Sequence, residues 1–404
     1  MSQPLFKFLR EGIDYEMSVR LGIDLLEKYS SIFAGKRVGL MTNNTGYNSK
    51  FESTIDLLHK NFNLVKLFAP EHGVRGDLQA GMKLDSYTDS KTGLPVISLY
   101  GDSRRPSAEV LKDIDIFAYD IQDVGSRFYT YIYSMSYVMQ ACAENNKEFV
   151  VFDRPNPINA ATVEGNILNE SCKSFIGLYP MPQRYGLTSA ECAKLFNEEY
   201  GLNCRLTVIP MEGYSRNMYF EDTGVPWIFP SVNIPTIDTC FTFNCSCIFE
   251  GTNISEGRGT TKPFSMIGAA WLDGGKLADK LNSLALPGVM FRPQYFTPLV
   301  YYPGMSKSAG ELCGGVEIHV TCRDTFRPVK TGVTMLYTIK ELGGGNFSYN
   351  PPYRAGGRHM IDYNTGDTYI REGKLSLEEV LARYEKESRQ FASLKAKYHL
   401  YEEN

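Results

Sequence analysis

Between about residues 36 and 210, short apolar runs of strand length alternate with stretches that carry apolar residues at helical spacing. No other feature of the chain limits its fold as much. Residues 36–42 (KRVGLMT), 64–68, 95–99, 114–121 (IDIFAYDI), 148–152 (EFVVF) and 205–209 read as strands. Residues 53–60, 107–112, 128–145 and 188–200 read as the helices between them, and 18–29 as a helix ahead of the first strand. Ser53 and Thr188 are suited to cap the helices they precede. Such alternation predicts an α/β fold, a doubly wound and mostly parallel sheet with helices on both faces.

At 404 residues the chain exceeds what one core supports, which levels off at ~250–300 residues. Two domains are expected, 1–226 and 227–404, divided within the Pro-rich, irregular segment 224–235. In the second, residues 245–249 and 315–322 read as strands, and 332–341 and 377–397 as helices, giving a smaller α+β domain.

Ligands of doubly wound sheets bind beyond the carboxyl ends of the strands, and the polar residues of this chain collect there. Asn43 and Asn44 follow the first strand, and Glu71 and His72 the second. Asp120, Gln122 and Asp123 end the run at 114–121, and Asp153, Arg154 and Asn156 follow 148–152. The second strand runs into Pro70, which cannot donate to a ladder, and then into Glu71 and His72 ahead of Gly73. Glu71 is the first candidate for catalytic work. Residues 77–92 lack a period and read as a long functional loop or lid.

Several function classes lose support. A net charge of −4 with no basic stripe argues against nucleic acid, and no run of about 18 apolar residues suggests a membrane span. Neither a P-loop nor a GxGxxG after the first strand is present, so no nucleotide cofactor is expected. The five His are dispersed without HExxH, so no metal is expected, and no GxSxG elbow occurs. The nine Cys are scattered, with Cys245 and Cys247 on one face of a supposed strand, and read as free thiols of a reducing compartment. Residues 1–20 carry no apolar signal core, so the expected location is the cytoplasm, or outside it if a leader was trimmed.

Carboxylates remain: Glu71, Asp120, Asp123, Asp153, Glu250 and Glu256. Paired carboxylates near aromatic rings and arginines fit acid–base cleavage of a glycosidic bond. Each Asp at a strand end is equally suited to cap the next turn, and Asp153-Arg154 to form an internal ion pair. The stretch from Glu250 to Lys262, with Asn253, Glu256 and Arg258, reads either as a solvated surface loop or as a Gly-rich loop closing over the crevice.

Several of these segments resemble the NamZ-type exo-β-N-acetylmuramidases. They are Gly22-Ile23-Asp24, the run from Gly39 to Gly46, Phe68 to Gly73, Asp120 to Tyr131, Asp153 to Pro157, Pro230-Ser231 with Asn233, and Phe249 to Thr260. The resemblance implies a Rossmann-like first domain holding the crevice and a smaller α/β second domain. It implies hydrolytic release of terminal, non-reducing N-acetylmuramic acid from peptidoglycan fragments, and it adds no cofactor. By the same resemblance Glu71, His72, Asp120 and Asp123 are the catalytic candidates, with Glu71 as general acid. Asn43, Asn44, Arg75, Arg127, Tyr129, Asp153, Arg154, Asn156, Glu250, Asn253, Glu256 and Arg258 are the substrate-binding candidates. The lactyl carboxylate of such a sugar calls for a guanidinium, from Arg75, Arg127 or Arg258. A homodimer suits such an enzyme, though no stretch marks an interface. Two other readings use the same crevice: a non-catalytic binder of muropeptide or sugar, and a nucleotide-dependent transferase.

Overall fold

The computed structural model describes residues 19–71, 73–75, 86–100, 104–300 and 307–403. Seven strands among them form one sheet: β1 (Arg37–Thr42), β2 (Asn63–Ala69), β3 (Tyr87–Thr88), β4 (Pro95–Ser98), β5 (Ile116–Asp120), β6 (Glu148–Phe152) and β7 (Arg205–Ile209). Their order is β3-β4-β2-β1-β5-β6-β7. Every pairing is parallel except that of the short edge strand β3 with β4. From β1 the chain winds first towards β2 and β4, then crosses to β5 and continues outward. The order therefore reverses between β1 and β5, where a doubly wound sheet opens its crevice.

Helices α1 (Thr54–Asn61), α2 (Ala108–Leu111), α3 (Tyr131–Glu144) and α4 (Ser189–Glu198) make the crossovers. Ser53 Oγ accepts from the Asp56 amide, and Thr188 shares a capping box with Glu191, so both caps form as the sequence suggests. The strands alternate faces with period two. Phe117, Tyr119 and Phe149 pack beneath α3 and α4, while Ile116, Ala118 and Val150 join Leu40, Ile55 and Leu58 on the opposite face. Burial on both faces accounts for the continuous apolar runs.

A smaller antiparallel sheet follows, in the order β8 (Met266–Ala269), β10 (Cys313–Val320) and β9 (Val289–Phe296). It packs with α5 (Ile237–Ser246), α6 (Gly274–Ser283), α7 (Pro328–Gly343), α8 (Met360–Thr365) and α9 (Leu377–Lys395). The fold is thus α/β as expected. The two parts share cores: Val124, Phe128 and Ile158 lie in the second, while Phe391 and Tyr398 return to pack beneath the large sheet.

Two local expectations are corrected. Of the expected helix at 18–29, the described residues 19–29 form a short 3-10 helix, Gly22–Leu25, followed by turns, instead of a regular helix. The Gly22 amide donates to Asp153 O at 3.0 Å, and a Cβ at Gly22 would lie 2.5 Å from Asp153 N, so tertiary contact with β6 dictates the backbone here. Residues 245–249 are not a strand. Thr236 caps α5, which carries the chain to Ser246 and into a 3-10 helix, Cys247–Gly251. Periodicity cannot separate strand from helix in a run buried on all sides.

Candidate active site

Most strand-end polar groups turn inward and hold the crossovers in place. Asp120, at the end of β5, is fully buried. It takes a two-pronged bond from Arg154, Nε to Oδ1 at 2.5 Å and Nη2 to Oδ2 at 2.8 Å, and a further bond from the Thr54 hydroxyl. Arg154 therefore pairs with Asp120 and not with its neighbour Asp153. The Asp153 carboxylate accepts from Thr188 Oγ1 at 2.8 Å, the Ala190 amide at 2.9 Å and the Tyr401 hydroxyl at 2.6 Å. It joins the start of α4 to the end of the chain. Burial raises its pKa to about 7.

The asparagines shape turns. Asn43 Oδ1 accepts from the amide and hydroxyl of Thr45, and Asn44 Nδ2 donates to Phe229 O at 2.6 Å. Asn156 Nδ2 donates to Leu187 O at 2.9 Å, and Asn253 Nδ2 to Asn346 O at 2.8 Å. Two of the three candidate arginines are also committed. Arg75 forks onto Asp89 at 2.7 and 2.9 Å. Arg127 is fully buried and donates to Tyr363 O at 3.2 Å and Asn364 O at 2.7 Å, closing the carboxyl end of α8. It fastens the two parts together.

Asp123 is buried, accepting from the Gly125 amide at 2.8 Å and from the Tyr185 hydroxyl through Oδ2, while Oδ1 has no partner. Desolvation outweighs these bonds and raises its pKa from an ordinary 3.8 to about 6. Between those values the folded protein binds more protons than the unfolded chain, so Asp123 makes stability fall as pH rises. A shift of about two units is worth on the order of 3 kcal/mol. Asp123→Asn is expected to melt like wild type near pH 4 and above it near pH 7. Identical slopes of Tm against pH for the two proteins would refute this; the slope from Asp153 is common to both.

The remaining candidates meet in one cavity of about 330 Å³ between the two parts of the chain. Glu71 and Tyr100, beyond the ends of β2 and β4, and Tyr129 and Tyr131, at the start of α3, line it from the first part. Asn233, Phe243, Glu250, Arg258, Phe264 and Met360 line it from the second. Glu71 sits half-buried in the turn closed by the Gly73 amide on Pro70 O at 3.3 Å. Tyr131 donates to Pro230 O at 3.0 Å, and burial, reinforced by the Glu71 charge, pushes its hydroxyl far above the ordinary value. It is a permanent donor.

In the second part, Asn350 Nδ2 donates to Glu250 O at 3.0 Å, holding the backbone that carries the Glu250 carboxylate. Arg258 Nη1 bonds both Glu250 and Glu256. Glu256 is buried behind it, and Lys307 at 2.9 Å is its second cation. Burial would raise the Glu256 pKa, but Lys307 and Arg258 together hold it below its ordinary value. Of the six candidate carboxylates, only Glu71 and Glu250 reach the cavity wall. His72 and residues 77–85 of the expected lid lie outside the described residues; the described remainder of the lid forms β3 and a turn closed by Asp89. Among the described residues no group of three His, Cys, Asp or Glu is placed to hold a metal ion.

Tyr131 and Phe264 were not singled out from the sequence. Tyr131 had a signal, the Phe128-Tyr129-Thr130-Tyr131 cluster opening a helix. Phe264 had none, since its left-handed backbone, φ 63°, and its place under Arg258 are tertiary facts. A larger cavity, of about 720 Å³, opens beside Arg20, Asp24 and Phe62, and none of the candidate residues lines it.

A strand-end cavity lined by carboxylates, tyrosines and aromatic rings from both parts of the chain has the groups that a glycosidase uses. The chain belongs to the NamZ exo-β-N-acetylmuramidase family. Residues 38–238 match the family's N-terminal model and 241–401 its C-terminal model. Its relatives include the peptidoglycan β-N-acetylmuramidase NamZ of Bacillus subtilis (strain 168), 46% identical over 389 residues, covering 95% of this chain and 91% of that protein. Two crystal structures of DUF1343 family proteins from Bacteroides fragilis NCTC 9343 are also similar. One is 40% identical with a TM-score of 0.88, covering 96% of this chain and 100% of that one. The other is 31% identical with a TM-score of 0.76, covering 96% and 99%.

Proposed function

We propose that this protein is an exo-acting β-N-acetylmuramidase that removes terminal, non-reducing N-acetylmuramic acid from peptidoglycan fragments. The observation that carries the reading is the presence of two carboxylates, Glu71 and Glu250, in the lining of one cavity, in a chain of this family. Glu71 is the general acid, giving its proton to the glycosidic oxygen as the bond to the anomeric carbon breaks. Glu250, held by Arg258, is the second carboxylate, facing the positive charge that develops on the sugar ring. Tyr131 keeps its proton, which it gives to Pro230 O, and its hydroxyl oxygen is left to accept from a sugar hydroxyl. Tyr129 and Phe243 offer ring faces and edges to the sugar. All nine cysteines are unpaired thiols, which supports a cytoplasmic site of action on imported fragments.

Incubation with the disaccharide MurNAc-GlcNAc tests this directly. Free N-acetylmuramic acid is expected by chromatography, while oligomers ending in non-reducing GlcNAc are expected to stay intact. Binding of the disaccharide without release of sugar would replace the reading with that of a binding protein.

A further inference from the structure

The third candidate arginine has an unused edge. A guanidinium offers two pairs of donors in one plane, Nη1 with Nη2 at its end and Nε with Nη2 along its side. Both bonds that Arg258 makes to acids leave from Nη1. Nε is buried without an acceptor, and no hydrogen bond leaves Nη2 among the described residues. Leaving a charged, desolvated N–H unmet is costly, and buried polar groups are rarely left so.

The orientation of the group is imposed from several directions. Gly257 and Gly259 flank it at φ 78° and 82°. A Cβ at Gly257 would lie 2.6 Å from Met266 O, so the turn that presents Arg258 excludes larger residues. The guanidinium carbon lies 4.8 Å from the centre of the Phe264 ring, and the two acids anchor the Nη1 corner. The surrounding charges balance: Glu250 and Glu256 against Arg258 and Lys307. A further anion is therefore not repelled by this cluster.

We propose that the Nε–Nη2 edge of Arg258 receives the lactyl carboxylate of the substrate in a two-pronged bond and thereby selects muramic acid over glucosamine. The proposal rests on the function proposed above. It assigns the choice of sugar to one side chain: Arg75 gives this edge to Asp89, Arg127, whose Nε also lacks an acceptor, gives Nη2 to Asn364 O, and of the three only Arg258 lines the cavity.

Calorimetric binding of N-acetylmuramic acid, its lactyl methyl ester and N-acetylglucosamine to wild type, Arg258→Lys and Arg258→Gln reads the contact without turnover. Wild type is expected to bind the free acid at least tenfold more tightly than the ester or N-acetylglucosamine. Arg258→Gln should bind all three alike. Arg258→Lys, which keeps a charge for Glu250 and Glu256 but has no fork, should retain only a small part of the preference. Thermal melts of both variants confirm the fold, and the Lys variant carries the test if the Gln variant does not fold. An undiminished preference for the acid in a folded variant overturns the proposal, as does wild type binding acid and ester equally. Release of sugar from the disaccharide, scored in parallel, separates the two readings: turnover with no acid preference leaves the muramidase standing and removes the Arg258 assignment.

Discussion

Glu71→Gln is expected to lower kcat on MurNAc-GlcNAc by 10²-fold or more, with little change in KM and an unchanged melting temperature. The amide has the shape of the acid but no proton to give, and general acid catalysis is typically worth 10² to 10⁴ in rate. Little structural loss should follow, because Glu71 occupies a half-buried turn whose geometry comes from Pro70 and Gly73. The diagnostic measurement uses a second substrate, an aryl muramide whose phenolate leaves without protonation. On it the variant should recover most of the lost rate. Equal losses on both substrates would show that Glu71 does not protonate the leaving group, and Glu250 would become the acid.

Asp120→Asn should act chiefly on stability, lowering it by about 3–5 kcal/mol, because it strands the Arg154 guanidinium in a buried site. The pair joins the end of β5 to the loop after β6, and the Thr54 hydroxyl on the same carboxylate ties in the start of α1. Denaturant unfolding measures the loss. For the fraction that stays folded, kcat should remain within a few-fold of wild type, since Asp120 does not line the cavity. A fully stable variant with 10²-fold lower kcat would return Asp120 to the chemistry.

These two carboxylates looked alike in the sequence. Both follow a buried strand, and both lie in segments that resemble the family. What separates them is the environment above the sheet. Arg154 arrives from the next strand end and closes over Asp120, whereas Glu71 lines the cavity together with Tyr131 and Glu250. Pairings of this kind join residues far apart in the chain, as with Asp153 and Tyr401, and no local pattern announces them. The helix start at Thr188 was legible because capping is local. The end of α5 was not, because a run buried on every side has no period to read.

By itself the sequence determined the alternation of strand and helix, and with it the parallel sheet and the end of that sheet where a ligand crevice must lie. Those follow from short-range patterning and from the handedness of the crossovers. Its motifs also carried the family. Only the tertiary structure decided which polar groups at the strand ends face the cavity and which are spent on the scaffold. A strand end fixes where a side chain starts, but its partner comes from a distant element, and a buried charge must find one. Asp120, Asp153, Arg75 and Arg127 found theirs inside the protein, while the Nε of Arg258 has no acceptor there.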